Sequence, residues 1–260
     1  EAVRVEHSGK VAPIIECRNV SKTFKNKGNS LEVLQNLSLS VRENEFVVLL
    51  GPGQCGKTTL MNIIAGLEPA TSGEVFFQGE RVAKPNPKLG MVYQTTALFP
   101  WLSVMKNVDF GPRMRHMPRK ERREKAQHFI DLVGLTGFEK AYPIKLSGGM
   151  RQRVGIARAY CNDPAVLLMD EPFGHLDAQT RYSMQDAIER IWSREKRTVV
   201  FITNNIEEAI FLADRIVLLT NCPTNVKKEI LVDLPRPRDY VSRGFLKIRE
   251  DISKIFEITK

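Results

Sequence analysis

The chain has little with which to build a disulfide scaffold or a structural zinc site. Its four cysteines, Cys17, Cys55, Cys161 and Cys222, are scattered, without a CxxC pair or a histidine cluster. That usage fits a reducing compartment. No apolar run approaches the ~18 residues of a membrane-crossing helix. The opening residues, EAVRVEHSGK, are polar and carry no signal-peptide core. Internal repeats and low-complexity segments are missing too. What is present is a hydrophobic fraction of 42 % in 260 residues, which excludes disorder for the chain as a whole. The length allows one large domain or two small ones. Lys and Arg number 39 against 30 Asp and Glu, a net charge of +9. Such a balance favours anionic partners (nucleotide, nucleic acid or a lipid surface) without choosing among them.

Apolar runs alternate with helical patterns. Pro13 to Val20, Val33 to Val41, Glu45 to Leu50, Glu74 to Gly79 and Leu89 to Gln94 read as strands. From Trp101 to about Tyr160 helical signals dominate. Ser103 is a candidate N-cap, and Ala126, Phe129, Ile130 and Val133 share one helix face. Ala165 to Asp170, Thr198 to Thr203 and Arg215 to Thr220 are short apolar strands separated by helices, the pattern of a parallel sheet covered on both faces. "LPRPRDY", Leu234 to Tyr240, reads as a proline-basic linker. Beyond it Phe245, Ile248, Ile252, Ile255 and Phe256 form one helical stripe. Docking of this helix on the domain's own surface is favoured over a subunit or membrane contact.

The strongest local signal is GPGQCGKT, Gly51 to Thr58, which follows the strand EFVVLL and precedes a helical run. That is the context a phosphate loop requires. Gly51, Gly53 and Gly56 let the backbone curl so that successive N–H groups face inward, at a helix N-terminus whose partial charge is positive. Pro52, Gln54 and Cys55 complete the loop, and Thr59 follows it. Lys57 can reach the β- and γ-phosphates, and the Thr58 hydroxyl can ligate Mg²⁺. Cys55 reads as a small residue that fits the turn, with a thiol open to activation by the helix N-terminus.

AVLLMDEP ends a buried strand in Asp170 and Glu171, at the sheet edge where ligands bind in open α/β folds. Asp170 is the candidate to hold Mg²⁺ through water, and Glu171 to polarise the attacking water. Between these motifs lies LSGGMRQR, where Ser147 is a candidate N-cap and Gly148 and Gly149 expose backbone N–H groups at a helix start. One triphosphate does not need two such helix ends in one chain. The economical reading gives Ser147 and Gly149 to the nucleotide of another subunit.

With these motifs in this order, the chain resembles an ABC-transporter nucleotide-binding subunit from about Ile14 to Asp233. The resemblance implies an α/β P-loop NTPase (RecA-like) parallel-sheet core, an antiparallel β subdomain and a helical subdomain at about residues 98–160 that carries LSGGM, the ABC signature. The ATPase domain then spans 12–233, with the linker and amphipathic helix at 234–260. It implies that Phe24 stacks on adenine, that Gln94 of the Q-loop senses Mg²⁺ and the attacking water, and that Asp177 is the D-loop aspartate. Taken singly, Phe24 reads as core and Gln94 as a strand-end amide; their place in the set gives them weight. The cofactors implied are ATP and Mg²⁺, the latter at Thr58, Gln94 and Asp170. The implied partners are transmembrane permease subunits, a second ATPase subunit closing head to tail, and an extracytoplasmic solute-binding protein, with the chain at the cytoplasmic face of the membrane. EPFGHLDAQTR, FPWLSVMKNV and LPRPR are similar to the ATPases of nitrate, sulfonate, taurine and bicarbonate importers.

One departure from that pattern stands out. The switch strand ends in Thr203-Asn204-Asn205, where the family has Thr-His-Asp. Asn204 keeps an amide donor for the γ-phosphate but cannot take up a proton. Either this subunit pairs with a different ATPase and lends its intact signature to a competent partner site, or Asn204 suffices in a homodimer with Glu171 doing the chemistry. Retention of Lys57, Thr58, Asp170, Glu171 and Ser147 favours the second. His175, beside the D-loop, reads as a tolerated loop substitution rather than a compensating group. A soluble ABC ATPase acting on nucleic acid would suit the positive charge. Against it, fewer than a hundred residues separate Lys57 from Ser147, and there is one motif set and no RNA-binding motif. No nucleic-acid partner is expected. A scaffold that binds ATP without hydrolysing it is the remaining alternative, and Glu171 speaks against it.

Overall fold

The computed structural model describes residues 12–26 and 29–257; the polar opening segment read above lies outside them. The first two strands, β1 (Ile15–Asn26) and β2 (Asn29–Val41), form a hairpin. It extends beyond both expected strands. With β4 (Ser72–Phe77) and the two-residue β5 (Glu80–Arg81) it makes an antiparallel sheet in the order β2-β1-β4-β5. The second sheet contains β3 (Phe46–Leu50), β6 (Leu89–Val92), β7 (Val166–Asp170), β8 (Thr198–Thr203), β9 (Arg215–Leu219) and β10 (Val226–Leu231), in the order β10-β9-β3-β8-β7-β6. All of its pairings are parallel except β9 with β10. β10 carries no apolar periodicity (VKKEIL) because it is a half-exposed edge strand, where charge discourages further pairing.

The fully apolar strands serve two cores at once. Phe46, Val48 and Leu50 of β3 enter one cluster while Val47 and Leu49 enter the other, and β7, β8 and β9 alternate in the same way. On one face lie α1 (Lys57–Ile64) and the antiparallel sheet. The other face carries α6 (Ala178–Glu195), α7 (Ile206–Leu212) and the helices at the far end. These are α2 (Val104–Val108), α3 (Phe110–Met114), α4 (Arg119–Leu132) and α5 (Gly148–Cys161). Ser103 caps α2 by accepting the Lys106 N–H, and Ala126, Phe129, Ile130 and Val133 are all buried.

The segment read as a linker is packed into the domain. Arg238 is buried and donates to the carbonyls of Ile210, Phe211, Ala213 and Val232, so it closes the C-terminal end of α7. Proline-basic composition mimics a linker, but here the guanidinium satisfies carbonyls that the helix end leaves open. The amphipathic stripe forms α8 (Arg243–Glu257) against α7, with Phe245 and Ile252 fully buried. Phe245→Ala is therefore expected to cost about 3–5 kcal/mol in equilibrium urea unfolding. A loss below ~1 kcal/mol would show that α8 is not part of the core.

Candidate nucleotide site

β3, β8 and β7 lie side by side in parallel register, with Leu50 opposite Thr203 and Asp170 opposite Ile202. The loops that leave them therefore meet at one sheet edge. After β3 the chain turns through Gly51, Pro52, Gly53, Gln54 and Cys55 to Gly56, the N-cap of α1. Gly56 has φ of 99°, and a Cβ there would sit 2.6 Å from Val33 Cγ1, so glycine is required on both counts. Lys57 is buried. Its ammonium donates to the carbonyls of Gly51 (3.0 Å) and Pro52 (2.6 Å) and lies 3.6 Å from Glu171 Oε1. Thr58 and Thr59 occupy the first turn of α1. Cys55 is buried beneath the loop, a packing role consistent with its size.

Asp170 is buried at the end of β7 with its Oδ1 unpartnered. Burial raises its pKa; the facing Thr58 hydroxyl opposes that shift. A buried carboxylate oxygen with an open coordination direction beside a threonine hydroxyl fits a hard divalent cation such as Mg²⁺. Glu171 sits in the left-handed region at φ of 40°, and its N–H donates to Ile202 O (3.0 Å). This strained turn at the strand end aims its carboxylate away from the core. Gln94 follows β6 and reaches the same place: its Nε2 is 2.8 Å from where a Cβ on Gly174 would stand. A polar cavity of about 200 Å³ is bounded by Gln94, Glu171, Arg181, Thr203, Asn204 and Glu208. Asn204 also borders a second, apolar cavity that reaches Gly51 and Pro52.

The remaining expected residues are placed apart from this cluster. Phe24 is exposed and lies opposite Leu31 in the hairpin, whose Val33 packs on Gly56. The Lys22 ammonium is 4.8 Å from its ring centroid. Ser147 caps α5 by accepting the Met150 N–H (3.2 Å), with Gly148 exposed beside it. A Cβ on Gly149 would come within 2.5 Å of Thr180 Cγ2, so α5 rests directly on the start of α6. Asp177 caps α6, accepting from the N–H and hydroxyl of Thr180, and these bonds hold its pKa below the usual range. Among the described residues, no hydrogen bond or cavity wall joins Ser147, Gly148, Gly149 or Asp177 to the phosphate loop.

Five residues of the polar cavity are not candidate site residues in the sequence: Gly174, Arg181, Thr203, Asn205 and Glu208. Glu208 is buried, accepts from Thr203 Oγ1 (2.6 Å) and pairs with Arg181 at 3.5 Å. The available signal was the spacing Asn205-x-x-Glu208, that of a capping box. The structure varies that motif. Asn205 Oδ1 accepts the Glu208 N–H, while the Asn205 N–H is met by Thr203 Oγ1, which in turn donates to Glu208.

The raised pKa of Asp170 carries a stability consequence. The folded chain binds this proton more tightly than the unfolded chain, so its contribution falls as pH rises above the ordinary carboxylate value. Asp170→Asn is expected to raise the stability of the nucleotide-free chain at neutral pH by about 1 kcal/mol while weakening Mg²⁺-dependent nucleotide binding. Thermal denaturation with and without MgATP measures both; a destabilised Asp170→Asn chain contradicts the burial argument.

The chain is similar to known proteins. The ABC transporter family model matches residues 34–174. An uncharacterized ABC transporter ATP-binding protein of Methanocaldococcus jannaschii is 48 % identical over 243 residues, 94 % of this chain and 91 % of that protein. An aliphatic sulfonates import ATP-binding protein of Bacillus cereus is 43 % identical over 238 residues, 92 % of this chain and 94 % of that protein. Among solved structures, a dimeric bacterial ABC transporter cassette superposes with a TM-score of 0.75 at 32 % identity, covering 85 % of this chain and all of its own. The same cassette in a post-hydrolysis state with ADP and Pi gives 0.73 at 31 % identity, with the same coverage. The chain belongs to the ABC transporter family, as an ATP-binding and ATP-hydrolysing subunit.

Proposed function

We propose that the chain drives an importer of a small anion, of the nitrate, sulfonate, taurine or bicarbonate kind, from the cytoplasmic face of the membrane. Its partners are transmembrane permease subunits, a second ATPase subunit and an extracytoplasmic solute-binding protein. The observation that carries this reading is the division of the site within one chain. Lys57, Asp170, Glu171, Gln94 and Asn204 meet at one sheet edge, whereas Ser147 stands exposed on a separate helix end. A second protomer, placed head to tail, completes each site by setting its Ser147 and Gly149 N–H groups against the γ-phosphate. Import and the anion class are supported by the relative named for aliphatic sulfonates, which spans nearly the whole chain.

In this mechanism the loop N–H groups of Gly53 to Thr58 cradle the β- and γ-phosphates, and Lys57 exchanges its two loop carbonyls for phosphate oxygens. Phe24 stacks on the adenine. Thr58, Asp170 and Gln94 would hold Mg²⁺, which neutralises charge on the phosphates. Glu171 accepts the proton of the attacking water, Gln94 orients that water, and the Asn204 amide donates to the γ-phosphate. Asp177 contacts the facing protomer. Closure of the two protomers would move the permease.

Glu171→Gln is expected to keep ATP binding and lower turnover by at least about 100-fold. It should also accumulate an ATP-bound dimer, read by light scattering beside the ATPase rate. Undiminished turnover removes Glu171 as the base. Lys57→Ala should instead weaken nucleotide binding by about tenfold or more, measured by fluorescent-nucleotide titration.

Asn204 favours a second reading, in which this subunit is slow at its own site and serves a different ATPase with its signature. Asn204→His separates the two. Turnover per site in the purified protein within about twofold of the parent supports the homodimer; a rise of tenfold or more supports the impaired subunit.

A further inference from the structure

The segment 234–256 contributes no motif to the ATPase site, yet one of its side chains is wired to the switch. Tyr240 stacks on Phe211 of α7, with centroids 4.8 Å apart and planes within 4°. Its hydroxyl donates to Gln185 Oε1 on α6 at 2.5 Å. Gln185 is buried, and its amide faces the Glu208 carboxylate. Glu208 in turn takes the Thr203 hydroxyl, and Thr203 Oγ1 accepts the N–H of Asn205. Thr203 and Asn205 flank Asn204 on either side. Arg181, which pairs with Glu208, also donates to Leu176 O beside Asp177 (3.3 Å). A chain of polar groups therefore runs from Tyr240 through three buried side chains to the backbone on both sides of Asn204, hydrogen-bonded at every step except between Gln185 and Glu208, where the amide faces the carboxylate at longer range.

We propose that Tyr240 is a positioning residue for ATP hydrolysis, acting through Gln185 and Glu208 to fix the backbone that presents the Asn204 amide. The phenol is one of two ways a tyrosine can hold α7. The ring holds the helix by stacking, which is structural. The hydroxyl orients the Gln185 amide: because Oε1 accepts from Tyr240, the NH₂ end points at Glu208. Without that bond the amide can flip, turning an oxygen towards a buried carboxylate and loosening its grip on Thr203. Loss of one such bond in a buried network is worth enough to displace a donor that must meet a phosphate oxygen within a few tenths of an ångström. This inference rests on the reading of Asn204 as γ-phosphate donor.

The test compares Tyr240→Phe, Gln185→Met and Asn204→Ala in the full chain, each alone and with Asn204→Ala added to the first two. Steady-state ATPase is measured against MgATP concentration, with thermal denaturation alongside. Tyr240→Phe keeps the stack, and is expected to lower kcat about three- to tenfold with KM for ATP within about twofold. In the Asn204→Ala background the same substitution should have no further effect on kcat. Gln185→Met removes both ends of the amide and should reproduce this pattern if the phenylalanine variant does not fold. A slow Asn204→Ala with Tyr240→Phe at the parental rate overturns the positioning role alone. An undiminished Asn204→Ala overturns the donor reading and this inference with it. Rate losses that multiply independently in the double variant also overturn it, because they place the action of Tyr240 elsewhere.

Discussion

The site depends on one constraint: β3, β7 and β8 end together. Parallel strands in register must finish at the same edge, and each here delivers one part of the candidate site as it leaves the sheet. β3 delivers the phosphate cradle and Lys57, β7 delivers Asp170 and Glu171, and β8 delivers Asn204. The crossover helices of a parallel sheet leave that edge free for ligands. A slip of one residue in either pairing would turn Thr203 or Asp170 to the opposite face and scatter the cluster. Close apolar packing on both faces of these strands makes such a slip expensive, so the precision of the site derives from the core beneath it.

Charge burial is tolerated here because each group is held for a use. Lys57 is buried against two carbonyls and a carboxylate. Asp170 keeps an unpartnered oxygen below the surface. Glu208 is buried but receives a hydroxyl, with Gln185 and Arg181 turned towards it. The second arrangement is a poor choice for stability alone, since an unpaired buried oxygen is costly. The third is held by a hydroxyl and an ion pair and acts as a frame. The contrast separates residues that meet ligand from those that hold them in place.

Much of the architecture is legible in the sequence. Fully apolar strands announce a sheet covered on both faces, and the glycine pattern after EFVVLL marks the candidate phosphate cradle. The run VLLMDE located the carboxylates. What escaped did so for physical reasons. β10 is an edge strand with lysines where a periodic pattern would be. Leu234 to Tyr240 has the composition of a linker, but Arg238 and Tyr240 bind only because the end of α7 presents three carbonyls and Phe211 to them. Arg181 and Glu208 lie 27 residues apart in sequence and meet only in space. Residues whose meaning comes from a tertiary partner leave no periodic trace.

The Arg238 closure has a consequence for biosynthesis. All residues of the candidate site precede it in the chain, so they emerge during translation while the end of α7 still lacks its guanidinium and the faces of Phe211 and Trp192 lack their covers. Until residues 234–256 arrive, the nascent protein displays sticky, half-capped surface at the very helix that follows the switch. Residues 234–256 thus act as a seal, and their arrival covers apolar surface that would otherwise favour aggregation.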